Sequence, residues 1–123
     1  MGVHGIISYG AYIPRGCLLR SSIAEFTGKG SNKGARSVAS YDENTTTMGV
    51  EAARNALKRS DTNPKKLWFS TVVPAYMDKT NATNIHSALQ LDDFVEATDF
   101  GNSTRSAIGA LSNALESDFS TLV

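Results

Sequence analysis

The stretch Lys66–Phe100, KLWFSTVVPAYMDKTNATNIHSALQLDDFVEATDF, decides the fold class of this protein. It starts with a continuous apolar run from Leu67 to Val73, which is typical of a strand buried on both faces of a parallel sheet. A helical pattern follows, and FVEATDF (94–100) then predicts a second strand. The apolar face of the helix consists of Ala82, Ile85 and Leu89. A strand, a helix and another strand in this order predict a parallel β-α-β unit and hence an α/β fold.

Two further helical patterns flank this unit. Residues 42–61, DENTTTMGVEAARNALKRSD, repeat apolar positions at three- and four-residue steps, with acidic residues before the helix and basic residues in its last turn. Residues 103–117, STRSAIGALSNALES, predict another amphipathic helix, after which DFSTLV (118–123) predicts one more strand. The inward face of this last helix is predicted to consist of Ala107, Ile108, Leu111, Ala114 and Leu115.

The N-terminal region predicts one strand and one short helix. Residues 3–14, VHGIISYGAYIP, predict a strand in which Gly5 and Gly10 mark a bulge or a close backbone approach. Residues 19–28, LRSSIAEFTG, predict a helix with Ser21 or Ser22 as its N-cap and Gly28 as its terminator. The complete pattern predicts one α/β domain over 1–123, with a mostly parallel mixed sheet flanked by helices.

Bulk composition argues against several function classes. The 123 residues carry twelve basic and twelve acidic side chains, which argues against a general electrostatic grip on nucleic acid or on an anionic membrane. Cys17 is the only cysteine, so no intrachain disulfide can form, and we expect a reducing, cytoplasmic compartment. The N-terminus does not read as a secretory signal, and no apolar run approaches the roughly 20 residues that span a bilayer. Because the chain stops at the strand-forming residues 121–123, we expect a longer polypeptide or a partner that completes the sheet.

Residues 96–111, EATDFGNSTRSAIGAL, are the first candidate for chemistry. An apolar strand stops at Asp99–Gly101, and a helical pattern starts a few residues later. A helix N-terminus stabilises a developing anion, so the turn between a strand and a helix suits a nucleophile. The turn contains Asn102, Ser103 and Thr104, and no cysteine.

The order of these segments resembles that of the 3-hydroxy-3-methylglutaryl-CoA synthases, within the thiolase superfamily. DENTTTMGVEAARNAL (42–57) resembles their helix motif, PAYMDKTNATNIHSAL (74–89) their segment with an Asp-Lys pair, and residues 96–111 their nucleophile segment. GIISYGAYIP (5–14) is similar both to that family and to the related ketoacyl synthase III enzymes. The resemblance implies a thiolase-like fold, of which 1–123 is the N-terminal part, and a Claisen-type condensation of acyl-CoA.

The resemblance also implies which catalytic groups this chain has lost. The family's nucleophile is a cysteine at the start of a helix, where the helix lowers the pKa of the thiol, and the equivalent position here is Thr104, or Ser103 if the register slips by one residue. The family's acid/base glutamate corresponds to Pro74, which cannot transfer a proton. The family's catalytic histidine belongs to a second half that this sequence does not contain. The resemblance therefore implies a catalytically degenerate chain.

Basic residues are the candidates for ligand binding. GKGSNKGARS (28–37) is either a flexible surface loop or a place where Lys29, Lys33 and Arg36 contact the phosphates of coenzyme A, as the resemblance implies. Its glycine spacing misses the dinucleotide fingerprint by one residue, and it lacks the Gly-Lys-Ser/Thr of a P-loop. Lys79 is similarly either a charge at a helix entry or a point charge that steers a phosphate. No tightly bound cofactor is predicted.

Other reactive residues favour structural roles. Cys17 is predicted to be a buried thiol, and His4 and His86 lack ligand-spaced partners, so no zinc site is predicted. The Asn-x-Thr/Ser matches at Asn44, Asn81 and Asn102 are interpreted as turn and cap chemistry. Asp99 is predicted to cap or orient the turn that follows it.

Three functional hypotheses follow. The first is a non-catalytic subunit or fragment that binds acyl-CoA or supports a catalytic partner, in a homo- or hetero-oligomer. The resemblance implies that the partner could be a small OB-fold, zinc-ribbon protein. The second is an active acyltransferase with Ser103 or Thr104 as nucleophile, or one completed by another chain or a missing C-terminal half. The third is a structural interaction domain without a ligand.

Overall fold

The structure, a computed structural model, describes residues 4–101 and 103–123, and these divide into two compact units. The smaller unit is Ile13–Asn44, and the larger unit comprises residues 4–12 and 45–123. In chain order the elements are β1 (Gly16–Leu19), α1 (Arg20–Thr27), β2 (Ala35–Val38), α2 (Thr45–Leu57), β3 (Lys66–Thr71), α3 (Asn81–Leu89), β4 (Glu96–Gly101), α4 (Ser106–Glu116) and β5 (Thr121–Leu122).

The larger unit contains a parallel sheet with the strand order β4-β3-β5. Strands β3 and β4 pair along their whole length, from Lys66 opposite Glu96 to Thr71 opposite Gly101. The short β5 adds two residues on the other side of β3, with Leu122 opposite Leu67. The predicted α/β class and parallel β-α-β unit are therefore confirmed, and the antiparallel pair β1-β2 forms a separate sheet in the smaller unit.

Strand β3 is buried on both faces, as its continuous apolar run predicts. Leu67 and Trp68 are successive residues, so their side chains point to opposite faces, and both are buried. Leu67 packs in a core cluster with Val50 of α2 and Ile85 of α3. The predicted inward face of α3 is confirmed, because Ala82 and Ile85 are buried and Leu89 packs against the same cluster.

The N-terminal segment is not the strand that its apolar residues predict. Within residues 4–12 there is no strand; the segment instead contacts helix α2. The hydroxyl of Ser8 donates to the carbonyl of Ala56 (3.0 Å), and the amide of Asn55 donates to the carbonyl of Ala11 (3.0 Å). A Cβ at Gly10 would overlap the Ala52 carbonyl oxygen, so the close backbone approach predicted there is confirmed. At Gly5 no described atom lies within 4 Å of such a Cβ, so the close approach predicted there is wrong. A strand needs a neighbouring strand to pair with, and the apolar pattern of residues 4–12 does not provide one; the segment packs on a helix instead. Val3, which is included in the predicted strand, lies outside the described residues.

Helix α1 ends as predicted and begins differently. Gly28 ends it with a left-handed φ of 68° and donates its N–H to the Ala24 carbonyl. Neither predicted serine is the N-cap, because strand β1 runs directly into the helix and Leu19 occupies that position. The N–H of Arg20 donates to the Gly34 carbonyl (3.0 Å), so the residue before β2 satisfies one N–H of the first turn.

Helix α4 turns a different face inward from the one predicted. Ala110 is completely buried, whereas Ile108 is 66% exposed and Leu111 and Leu115 are 38% exposed. Ala107 is also exposed, and Ala114 is half-buried. The prediction of this face is therefore wrong. The small side chain of Ala110 lets the α4 backbone approach the sheet closely, and the bulky residues consequently lie on the outer side of the helix.

Candidate functional site

The predicted catalytic positions follow neighbouring strand ends. Because β3 and β4 are parallel and Thr71 lies opposite Gly101, the segments after these strands leave the same edge of the sheet. Pro74 follows β3 and is half-buried, while Ser103 and Thr104 follow β4 and are exposed. Asn102 lies outside the described residues. The topology thus brings the segments that carry the two predicted positions to one sheet edge.

The turn into α4 is closed by hydroxyl groups. The Ser106 hydroxyl donates to the Gly101 carbonyl (2.7 Å), and the Ser103 hydroxyl accepts the N–H of Arg105 (3.2 Å). These bonds join the end of β4 to the start of the helix. The segment from Glu96 to Glu116 contains no cysteine, and Asp78 is the only acidic residue between Lys66 and Thr80. The shape of a strand-to-helix turn is therefore present without a thiol, and without a glutamate on the neighbouring segment.

The only cysteine of the chain lies in the smaller unit. Cys17 is in strand β1 and is exposed, so its prediction as a buried thiol is wrong. Residues 17–19 are all exposed because nothing in the smaller unit covers the side chains of this short strand. The Nε2 of His86 lies 3.0 Å from the Asp92 backbone carbonyl oxygen. Across 4–101 and 103–123, no group of three or more His, Cys, Asp or Glu could hold a metal.

A polar cluster joins α2, α3 and β4 around Asn81. The Asp99 carboxylate accepts the backbone N–H groups of Asn81 and Ala82, both at 2.7 Å, so it caps the N-terminus of α3. The prediction for Asp99 concerned the turn that follows it and did not include this cap. The Asn81 side chain donates to Asp99 (3.1 Å) and accepts from the Thr46 hydroxyl (3.3 Å). The sequence pattern predicts turn or cap chemistry at Asn81 but does not predict its partners Thr46 and Asp99, which belong to two other elements.

Lys79 lies on the loop that this cluster holds. Its ammonium is 4.0 Å from the centre of the Tyr76 ring, within the range of a cation–π interaction. The Tyr76 backbone is held by Asn81, whose side chain accepts the Tyr76 N–H (3.0 Å) and donates to the Tyr76 carbonyl (3.0 Å). The Thr45 hydroxyl also donates to the Val73 carbonyl (2.8 Å), which fixes the start of the loop.

The smaller unit holds the other predicted cations on or beside a cleft. The cleft has a volume of about 310 Å³ and is lined by Arg20, Ile23, Gly30, Ser31 and Arg36. Lys29 and Lys33 are exposed on the same loop, whose glycines Gly28, Gly30 and Gly34 all have positive φ. The sequence pattern predicts Arg36 as a ligand contact but does not predict Arg20 or Ser31. The signal available for Arg20 was its position in the first turn of a helix, where a cation opposes the dipole.

Comparison with known proteins agrees with the motif order. The chain is 37% identical over 115 residues to the hydroxymethylglutaryl-CoA synthase of Thermococcus sibiricus, and 33% identical over 119 residues to that of Thermoplasma volcanium. These matches cover 90% and 89% of the chain. The resemblance to hydroxymethylglutaryl-CoA synthases is confirmed. This hydroxymethylglutaryl-CoA synthase-like chain spans about a third of the length of the curated relatives that it matches (33% and 34%). No protein-family model matches it.

Solved structures confirm the thiolase-like fold. A 3-oxoacyl-(acyl-carrier-protein) synthase III superimposes with a TM-score of 0.82 at 17% identity, over 94% of this chain and 37% of that one. The synthase III of Aquifex aeolicus gives a TM-score of 0.74 at 22% identity, over 90% and 39% of the two chains. None of the helices that the structure describes is long and apolar enough to span a bilayer.

Proposed function

We propose that this chain is a catalytically degenerate subunit or fragment of a hydroxymethylglutaryl-CoA synthase-like protein, which binds an acyl-CoA or supports a catalytic partner. One observation carries the proposal. The segment that corresponds to the family's nucleophile region contains hydroxyl groups and no cysteine between Glu96 and Glu116. The absence of a cysteine holds in whichever register the segment is aligned. It is the reason to propose that the chain binds a thioester but does not react with it.

The chemistry of the condensation supports the same separation. Covalent acyl transfer needs a nucleophile that is reactive at neutral pH, and a threonine hydroxyl such as that of Thr104 needs a strong base beside it. A proton must also move, and the pyrrolidine ring of Pro74 offers no group to carry it. A thioester at this sheet edge would therefore be held and left intact.

The cations support binding of a coenzyme A thioester. Two arginines, Arg20 and Arg36, line the cleft of the smaller unit, and Lys29 and Lys33 extend from its loop. Guanidinium groups can donate bidentate hydrogen bonds to phosphate oxygens, and coenzyme A carries several phosphates. Lys79 of the larger unit is proposed as a phosphate contact in its own right, independently of this cleft. The proposal requires no tightly bound cofactor.

Calorimetric titration with acetyl-CoA tests this proposal. We expect saturable binding that weakens about tenfold in the double variant Lys29→Ala/Lys33→Ala, because each phosphate contact by an exposed cation contributes roughly 0.5–1 kcal/mol. The matched control is Lys58→Ala/Lys65→Ala, which removes the same charge from exposed positions of the larger unit and should bind like the parent chain. Intact-protein mass spectrometry after the titration should show no acyl adduct.

Three results would contradict the proposal. An acyl adduct that disappears in Thr104→Ala would make the chain an active acyltransferase. Equal weakening of acetyl-CoA binding by both double variants would show that only the net charge of the chain matters and not the position of these lysines. Absence of any heat would favour a structural interaction domain without a ligand.

We also propose that the chain works in a cytoplasmic homo- or hetero-oligomer, without nucleic acid or membrane partners. The exposed outer face of α4, formed by Ile108, Leu111 and Leu115, supports this because apolar residues that share a helix face favour contact with another surface. A small OB-fold, zinc-ribbon protein is the hetero-partner that the family resemblance suggests. Native mass spectrometry should detect a species larger than the monomer, and the double variant Ile108→Ser/Leu111→Ser should reduce it. A solitary monomer at all concentrations would contradict assembly.

A further inference from the structure

Asn81 is the most completely bonded side chain of the larger unit's polar cluster. It is only 2% exposed, and its amide uses both donor hydrogens and both acceptor positions in four hydrogen bonds: to the Tyr76 carbonyl, Asp99, the Tyr76 N–H and the Thr46 hydroxyl. Two of these bonds hold the backbone of one loop residue, Tyr76. The other two join that loop to β4 and to α2. The position of Tyr76 is therefore set by two elements of the fold outside its own loop.

The Tyr76 ring in turn restrains Lys79. A lysine has a long stem with many rotamers, and an exposed lysine samples most of them. Here the ammonium lies 4.0 Å from the ring centre, which favours one orientation of the stem. Within the described part of the chain, no carboxylate lies within 4.0 Å of this ammonium. The charge is thus held in place by an aromatic face and is not neutralised by an acid.

The geometry points to Asn81 and Tyr76 as positioning residues that fix the ammonium of Lys79 for an anionic group of the ligand. This inference rests on the proposed binding of a coenzyme A thioester and specifies how one of its cations is oriented. A preorganised cation loses less rotamer entropy when an anion binds, so its contribution to affinity is larger than that of a freely rotating lysine. Asn81 does not touch the ligand in this arrangement, and it acts through Tyr76.

The first measurement is independent of any ligand. Protons that lie over an aromatic ring shift upfield, so the ε-methylene protons of Lys79 should be displaced in the NMR spectrum of the parent chain. We expect Tyr76→Phe to retain this displacement, Tyr76→Leu to abolish it and Asn81→Ala to reduce it. The matched control, Asn84→Ala on the same helix, should retain it. A folded Asn81→Ala chain with the full displacement would overturn the positioning role.

A second variant covers failure of Asn81→Ala to fold. Thr46→Val removes a single hydrogen bond, at 3.3 Å, from the same amide. It should reduce the Lys79 displacement in the same direction and by a smaller amount. Retention of the full displacement in folded Thr46→Val would equally count against the inference.

The second measurement is a double-mutant cycle on acetyl-CoA affinity. Tyr76→Leu should weaken binding about threefold and Tyr76→Phe should leave it unchanged, because only the ring is needed to orient Lys79. In a Lys79→Ala background, Tyr76→Leu should have no further effect. Equal weakening in both backgrounds would mean that Tyr76 contacts the ligand directly, and would overturn the inference. If the parent chain binds no acetyl-CoA, the proposed function fails by itself, while the NMR displacements still decide whether Asn81 and Tyr76 position Lys79.

Discussion

The variant Ile85→Ala is expected to lower the free energy of unfolding by about 3–4 kcal/mol, the largest loss for any single substitution considered. Ile85 is 1% exposed and packs with Leu67, Val50 and Val95 between α2, α3 and the sheet. Its Cδ1 also lies 3.2 Å from the position that a Cβ would take at Gly49, so the helices around it approach closely. Truncation leaves a cavity that this tight contact prevents from collapsing. Urea denaturation followed by the fluorescence of Trp68, the only tryptophan, measures the loss.

Ile108→Ala is the matched control for this prediction. It makes the same change in a helix of the same unit, at a side chain that is 66% exposed. At protein concentrations where the chain is monomeric, so that the proposed assembly surface is not buried, we expect a change within about 0.5 kcal/mol. Little apolar surface then leaves the interior, and alanine has the higher helix propensity. Similar losses in both variants would show that the outer face of α4 packs inward, as the sequence pattern alone predicts.

The second large effect is expected for Asn81→Ala, at about 2 kcal/mol. The substitution removes four hydrogen bonds from an almost fully buried side chain and leaves the Thr46 hydroxyl and the Tyr76 backbone without those partners. Tyr76 is 38% exposed, so water can replace the lost partner at its backbone. The loss of unfolding free energy therefore stays below that expected for four buried polar groups left without any hydrogen bond. Thermal and urea unfolding of the same samples measure it.

Asn84→Ala provides the comparison for Asn81. Asn84 is on the same helix, and its side-chain amide donates to the Thr80 carbonyl at 3.3 Å. Its loss should be offset by the better helix propensity of alanine, so that stability changes by about 0.5 kcal/mol or less. If both variants lost the same stability, the cluster around Asn81 would have no special role in holding α3 and its preceding loop.

Local periodicity was sufficient for most of the secondary structure. The continuous apolar run at Leu67–Val73 predicts a strand, and β3 occupies Lys66–Thr71; the helical repeats likewise predict α2, α3 and α4. These elements follow from spacing because a helix and a strand present side chains to one face at different periods. The N-terminal segment shows where this fails, since a strand also needs a partner ladder. The Gly10 backbone instead packs on α2.

The candidate site likewise contains some features that the sequence predicts and others that only the structure shows. The predicted parallel β-α-β unit agrees with the observed pairing, which places the turns after β3 and β4 at one sheet edge. The absence of a cysteine from residues 96–116 can be seen in the sequence alone. The partners of Asp99 and Asn81 are not visible in that way. In the sequence, Asp99 is 17 residues from Ala82 and 18 residues from Asn81, the two residues whose N–H groups it caps. Thr46 is 35 residues from its partner Asn81.

By itself, the sequence determined that strands and helices alternate, that a strand-to-helix turn lacks a thiol, and that a similar order of motifs occurs in hydroxymethylglutaryl-CoA synthases. Only the tertiary structure decided which face of α4 is buried and which groups hold Lys79. The physical reason is that periodicity and residue chemistry act over one or two turns of chain. Burial and hydrogen bonding depend on which distant segment comes to lie beside a residue, as β4 lies beside the start of α3.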